Sequence, residues 1–103
     1  MTTIAERVAA GAAFLDEHEP GWADRVNLKR LYIGSTCNCM LGQLRGEYLP
    51  GVRWMRKMAP GVDQVDLGFM FVVDNDDMDA EHDDINGLTA EWKRVIGGRR
   101  AAA

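Results

Sequence analysis

The stretch Ser35–Tyr48, S-T-C-N-C-M-L-G-Q-L-R-G-E-Y, constrains the fold more than any other part of the chain. Ser35 and Thr36 are hydroxyls suited to cap a helix N-terminus, and Cys37, Met40, Leu41, Leu44 and Tyr48 then follow at helical spacing. That pattern predicts a central helix over about 36–48. A second face carries Cys39, Gly42 and Gly46. Each glycine inside a helix costs about 1 kcal/mol against alanine, so close approach of another element is the expected reason for them.

Upstream, Thr3-Ile4-Ala5-Glu6 reads as a capping box, with Ile4, Val8, Ala12 and Leu15 forming an apolar stripe. This predicts a helix over about 3–18 that stops before Pro20-Gly21. Trp22 is expected to plug the following loop against the core, and Asn27–Leu31 to form a short capped turn. Pro50-Gly51 and Pro60-Gly61 bracket V-R-W-M-R-K-M-A, a segment that is helical if regular. Val52, Met55 and Ala59 would face inward there, with Trp54 and Met58 on another side.

From Val65 the period changes to two, with Val65, Leu67, Phe69, Phe71 and Val73 alternating against their neighbours. Alternation is a strand signal, and Leu31-Tyr32-Ile33 is the other extended apolar segment. Two alternatives stay open: a minor two-stranded β element, or an irregular buried segment. A last helix is expected over about 80–96 on Ile85, Leu88, Trp92, Val95 and Ile96, stopped by Gly97-Gly98 and followed by a frayed tail at about 99–103. The fold class is therefore mainly α, a single domain over 1–103 with three principal helices. The expected core is Val8, Leu15, Trp22, Leu28, Leu31, Leu41, Leu44, Phe69, Leu88, Trp92 and Val95.

The net charge of −4 conceals segregation: residues 25–57 hold seven bases and one acid, and residues 63–84 hold nine acids and no base. Such blocks either satisfy each other across the protein's own surface or meet different partners. The acidic block, with Asp74, Asp76, Asp77, Asp79, Asp83 and Asp84, is a candidate surface for a basic protein partner. It also invites a calcium reading. Started at Asn75, however, an EF-hand would put Ala80 where glycine is needed and Asn86 where a bidentate glutamate is needed. A solvated, helix-capping loop is favoured, with no metal and no cofactor.

Arg53, Trp54, Arg56 and Lys57 form a second candidate patch, and an exposed Trp54-Met55-Met58 group would supply its apolar anchor. With Arg45, the same cations are a candidate for nucleic acid, since bases interleaved with an aromatic can hold phosphates and stack a nucleobase. A pI near 5.0 weighs against that alternative.

Cys37, Cys39, His18 and His82 are the soft metal ligands of the chain, but C-x-C with distant single histidines is a poor zinc pattern. On one helix the two thiols would point about 200° apart, so both are read as reduced and the compartment as cytoplasmic. No apolar run reaches the ~20 residues of a membrane span, and the N-terminus lacks a signal-peptide h-region. There is no nucleophile elbow, H-E-x-x-H, P-loop or dinucleotide fingerprint, and no catalytic residue is nominated.

The order F-L-D-E-H-E-P-G-W (14–22), N-L-K-R-L (27–31), C-x-x-G-Q-L-x-G-x-Y (39–48) and L-T-A-E-W-K-R-V-I (88–96) resembles a family of small uncharacterised proteins encoded by actinobacteriophages and actinobacterial genomes. The resemblance covers most of the chain and departs from the pattern between about 50 and 80. It brings no activity with it. It implies a context, a non-enzymatic phage or prophage accessory protein in the bacterial cytoplasm that binds a host or phage protein.

Overall fold

Thr3 caps the first helix, α1 (Ile4–His18), with the reciprocal bonds of a capping box: Glu6 N–H donates to the Thr3 hydroxyl at 3.1 Å, and Thr3 N–H donates to the Glu6 carboxylate at 3.3 Å. The structure, a computed structural model, describes residues 2–74 and 76–102. Four further helices follow, α2 (Trp22–Arg25), α3 (Met40–Arg45), α4 (Tyr48–Met58) and α5 (Met78–Ala102). Among the described residues there is no strand, and the chain is a single all-α domain with a radius of gyration of 12.8 Å, close to the ~13 Å of a folded 100-residue chain. No described helix is long and apolar enough to cross a membrane.

α1 and α5 form the main long pair, α3 lies against α4, and α2 joins α5 to α3. Five aromatic rings from five segments run through the centre. Trp22 meets Trp92 edge-on at 5.7 Å, Trp92 stacks on Phe69 at 5.7 Å, Phe69 meets Phe14 at 6.0 Å, and Phe14 meets Trp54 at 5.4 Å. These separations are in the favourable range for aromatic pairs, each contributing about 0.5–1.5 kcal/mol beyond area burial. Of the expected core, Leu28 and Val95 are only partly buried, and the rest are buried. Val26, Ile33, Met40, Met55 and Ile96 join them.

The expected strand over Val65–Val73 is absent. Asp63–Phe69 folds into successive turns instead, with Asp66 N–H donating to Asp63, Gly68 N–H to Val65 and Phe69 N–H to Gln64. Side chains from the two long helices take the carbonyls that a partner strand would have used. Arg7 of α1 donates to Val65 O (2.9 Å) and Met70 O (3.0 Å), and the Trp92 indole of α5 donates to Gly68 O (2.7 Å). The apolar alternation still turns Leu67 and Phe69 into the core. Leu31–Ile33, the suggested partner, is bound elsewhere: Ile33 N–H donates to the Thr89 hydroxyl of α5 at 3.1 Å.

The boundaries of three helices also differ from expectation. The central helix begins at Met40, because residues 35–39 form turns and the Cys39 sulfur, not Ser35 or Thr36, caps it by accepting from Gly42 N–H at 3.3 Å. It ends at Gly46, whose φ of 92° breaks the helix. The expected approach of another element is not what the glycines serve: at Gly42 a methyl group would collide with the Thr36 carbonyl of the chain's own preceding turn, and nothing lies within 4 Å of a methyl group built at Gly46. Tyr48 starts α4, which takes Pro50-Gly51 into its first turn, where proline's missing N–H is harmless.

Finally, α5 runs through Gly97-Gly98 to Ala102, and the expected frayed tail is helical as far as the described residues go. Contacts beyond the glycines hold it. Arg99 pairs with Asp16 at 2.6 and 2.9 Å, and Arg100 donates to Ala23 O at 2.9 Å and to Val26 O. These carbonyls are the orphan acceptors at the end of α2, which a cation suits.

Candidate interaction surface

The acidic segment splits into two parts. Asp74 accepts from the N–H groups of Asp76 and Asp77, both at 3.1 Å, and Asp77 accepts from Ala80 N–H at 2.9 Å at the start of α5. Asp77 caps the N-terminus of α5, where the macrodipole favours negative charge, and Asp74 caps the turn that precedes it. Asp76, Asp79 and Asp83 are exposed. Asp84 is different. Its carboxylate pairs with Arg7 at 2.8 and 3.2 Å and accepts from Val72 N–H at 2.8 Å, with its side chain only 15% exposed. It belongs to the interior clamp and is withdrawn from the candidate partner surface. Asn75, position one of the calcium reading, lies outside the described residues. Among the described residues no three acidic, histidine or cysteine side chains are grouped to hold a metal ion.

Exposed apolar side chains accompany the acids. Val72, Val73 and Met78 are 51%, 57% and 67% exposed. The sequence reading assigned Val73 to a strand and gave Met78 no role. The exposure of Val73 goes with the failure of the segment to pair as a strand, whereas Met78 opens α5.

The basic patch is also redistributed. Arg53, Arg56 and Lys57 are exposed on α4, and no ion pair joins them to another described residue. Leu49, Arg53 and Arg56 are spaced i, i+4, i+7, which puts the 63%-exposed Leu49 on the same face. Trp54 is half-buried: the Arg45 guanidinium sits 3.9 Å over its ring and Phe14 meets it edge-on. A nucleobase would have to displace Arg45 to use that ring face. Arg45 is itself paired with Glu19, which also binds Arg25. Arg45 is thus committed within the fold and is lost from the nucleic-acid set. Met55 is fully buried, so the expected exposed Trp54-Met55-Met58 group reduces to Met58.

The soft ligands do not converge. Cys37 is exposed and Cys39 buried, and burial pushes the Cys39 thiol above its ordinary range. His18 packs against Phe14 at 4.7 Å, and His82 is exposed on α5.

One cleft, of about 170 Å³, opens between residues 33–39, the start of α4 and residues 70–71. Ile33, Cys39, Met70 and Phe71 give it a mostly apolar lining, completed by the Tyr48 ring and by Ser35 and Thr36. Tyr48 accepts a hydrogen bond from Gln64 at 3.2 Å, and burial raises its phenol above the ordinary value. Sequence reasoning missed this cleft, because its walls come from separate segments, the first and last more than thirty residues apart, and no local pattern marks them. Compared with known proteins, the chain matches no family model, no curated protein and no solved structure.

Proposed function

We propose that the chain is a non-enzymatic accessory protein, of phage or prophage origin, that acts by binding another protein. The observation that carries this reading is the surface at residues 72–78, where Val72, Val73 and Met78 stand exposed among Asp74, Asp76 and Asp77. Apolar side chains left in water beside a band of one charge are the usual make-up of a docking surface, with the apolar groups giving affinity and the charges orientation and on-rate. The partner is a basic host or phage protein. The test is affinity capture from actinobacterial lysate, with and without nuclease, using the native chain and a Val72→Ser, Val73→Ser, Met78→Ser variant. One stoichiometric protein that survives nuclease and is lost with the variant is the expected result. Equal capture by both chains overturns the assignment of this surface.

A second reading is binding of nucleic acid through α4. It is favoured by the shared exposure of Arg53, Arg56 and Lys57. Capture that disappears with nuclease, steep weakening with salt, and loss on reversing these three charges to glutamate are its signature.

A further inference from the structure

The cleft lies amid most of the exposed apolar surface. Tyr32 (44%), Leu49 (63%) and Val72 (51%) are the chain neighbours of its lining residues Ile33, Tyr48 and Phe71, and Val73 is one residue further on. A small, mostly apolar concavity flanked in the chain by exposed apolar residues is suited to take one inserted side chain that carries much of an interface.

Size and lining narrow the occupant. At about 170 Å³ the cleft is below the ~300–1,000 Å³ of ordinary small-ligand pockets and close to the ~150 Å³ cavity that holds one benzene. Two aromatic residues (Tyr48, Phe71) and Met70 are among the residues that line it, and aromatic rings and a thioether both make favourable contacts with an inserted ring. The acids start immediately beyond. Asp74 is three residues from Phe71, at most ~11 Å along the chain.

We propose that this cleft receives a single aromatic side chain of the protein partner, carried in a basic segment whose cations lie against Asp74, Asp76 and Asp77. The proposal rests on the protein-binding reading and specifies what the bound segment contains. An aliphatic anchor and a free aromatic small molecule are the competing occupants.

The test titrates the ¹⁵N-labelled full chain with synthetic peptides Lys-Arg-Trp-Arg-Lys, its Leu and Ala counterparts, Glu-Glu-Trp-Glu-Glu, and free indole, following the amides of Ser35, Thr36, Phe71 and Val73. The tryptophan peptide is expected to shift these amides and to bind about tenfold tighter than the alanine peptide. Replacing Asp74, Asp76 and Asp77 together by Asn, which preserves helix capping, should remove most of the salt dependence. Thr36→Trp, at an exposed position on the rim, should block the site, and Ser35→Leu is the second blocking variant. Circular dichroism checks that both variants fold.

Equal binding of the Leu and Trp peptides overturns the aromatic anchor, and equal binding of the Glu and Lys/Arg peptides overturns the basic flank. Indole binding as tightly as the peptide makes this a small-molecule site and also overturns the proposal. If no peptide moves the cleft amides while a lysate protein is still captured through Val72, Val73 and Met78, the cleft proposal fails and the protein-binding reading stands. If that capture is absent as well, both fail.

Discussion

Residues 63–71 and 72–78 are neighbours in the chain, and of their described residues only Met78, at the start of α5, belongs to a regular element. They nevertheless behave in opposite ways. In the first, Arg7, Trp92 and Asp84 bind or border the backbone from both long helices, and Leu67 and Phe69 are buried. In the second, the hydrogen bonds beyond Val72 stay, among the described residues, within 74–81: Asp74 N–H donates to the Glu81 carboxylate at 3.2 Å, Asp74 and Asp77 cap their own neighbours, and Val72, Val73 and Met78 face water. Irregular backbone is therefore not the same as loose backbone. What separates the halves is whether side chains distant in the chain reach their polar groups, and the boundary falls at Val72 N–H, the group that Asp84 holds.

The largest effect should come from breaking the pinned half at Arg7. Its side chain is 7% exposed and makes four hydrogen bonds, two of them to Asp84. Arg7→Ala leaves the Asp84 carboxylate with the Val72 N–H and without its cation, and takes a donor from the Val65 and Met70 carbonyls; breaking a buried pair by removing one partner costs about 3–5 kcal/mol. Urea unfolding measures it, and a loss under ~1 kcal/mol, the value of a surface pair, would sink the idea that this clamp organises the segment.

Gly11→Ala comes next. A methyl group there gains about 1 kcal/mol of helix propensity. It would, however, collide with the Leu67 carbonyl and sit 2.9 Å from the Trp92 ring. A backbone carbonyl cannot swing aside, so overpacking at about 1–3 kcal/mol or more outweighs propensity. The net sign is destabilising, and a raised melting temperature for G11A would contradict the close approach of α1 to the pinned half.

How much of this was legible in the sequence depends on where each signal was stored. The α1 capping box, the Trp22 plug and the apolar face of α5 are local patterns and were readable. The strand signal at 65–73 was read correctly as alternation but not as conformation, because its outcome depended on Arg7 and Trp92, each more than twenty residues away. In the sequence Arg7 is the one base of an acidic N-terminal stretch, and no local pattern marks it. Its role is visible only once Asp84 is across from it. Gly97-Gly98 is of the same kind: two glycines weaken a helix by about 2 kcal/mol in all, and what lies against this is not local, chiefly the part-buried bonds of Arg100 to the α2 region with a smaller part from Arg99–Asp16. The candidate surface was half legible. The acids were plain, whereas the apolar side chains among them were hidden inside a pattern that predicted pairing.

The exposed half should respond in the reverse manner to the pinned half. Replacing Val72, Val73 and Met78 by Ser removes no packed contact of the core, so stability should stay within about 0.5 kcal/mol of the native chain while partner capture is lost. A large drop in the unfolding midpoint would instead show that these side chains support the fold, and the contrast between the halves would collapse.

The smallest effect calibrates the charge argument outside both halves. Asp16 and Arg99 pair at 2.6 Å with side chains 47% and 42% exposed, so their bond is screened by water in a way that Arg7–Asp84 is not. The Arg99 guanidinium holds the Asp16 carboxyl below its ordinary value of 3.8, against a smaller opposing effect of burial and with help from the Trp22 indole. A folded-state pKa that is depressed contributes stability above the unfolded value and loses it as pH falls through the folded one. The contribution is thus complete at neutral pH and disappears only below about pH 4. Arg99→Gln should move the Asp16 titration up toward its ordinary value in a carboxyl-detected NMR series and should cost well under ~1 kcal/mol at pH 7. If this variant were as damaging as Arg7→Ala, exposure would not be what distinguishes the two pairs. Position would be, with Arg99 acting as the clip that carries α5 past its glycines.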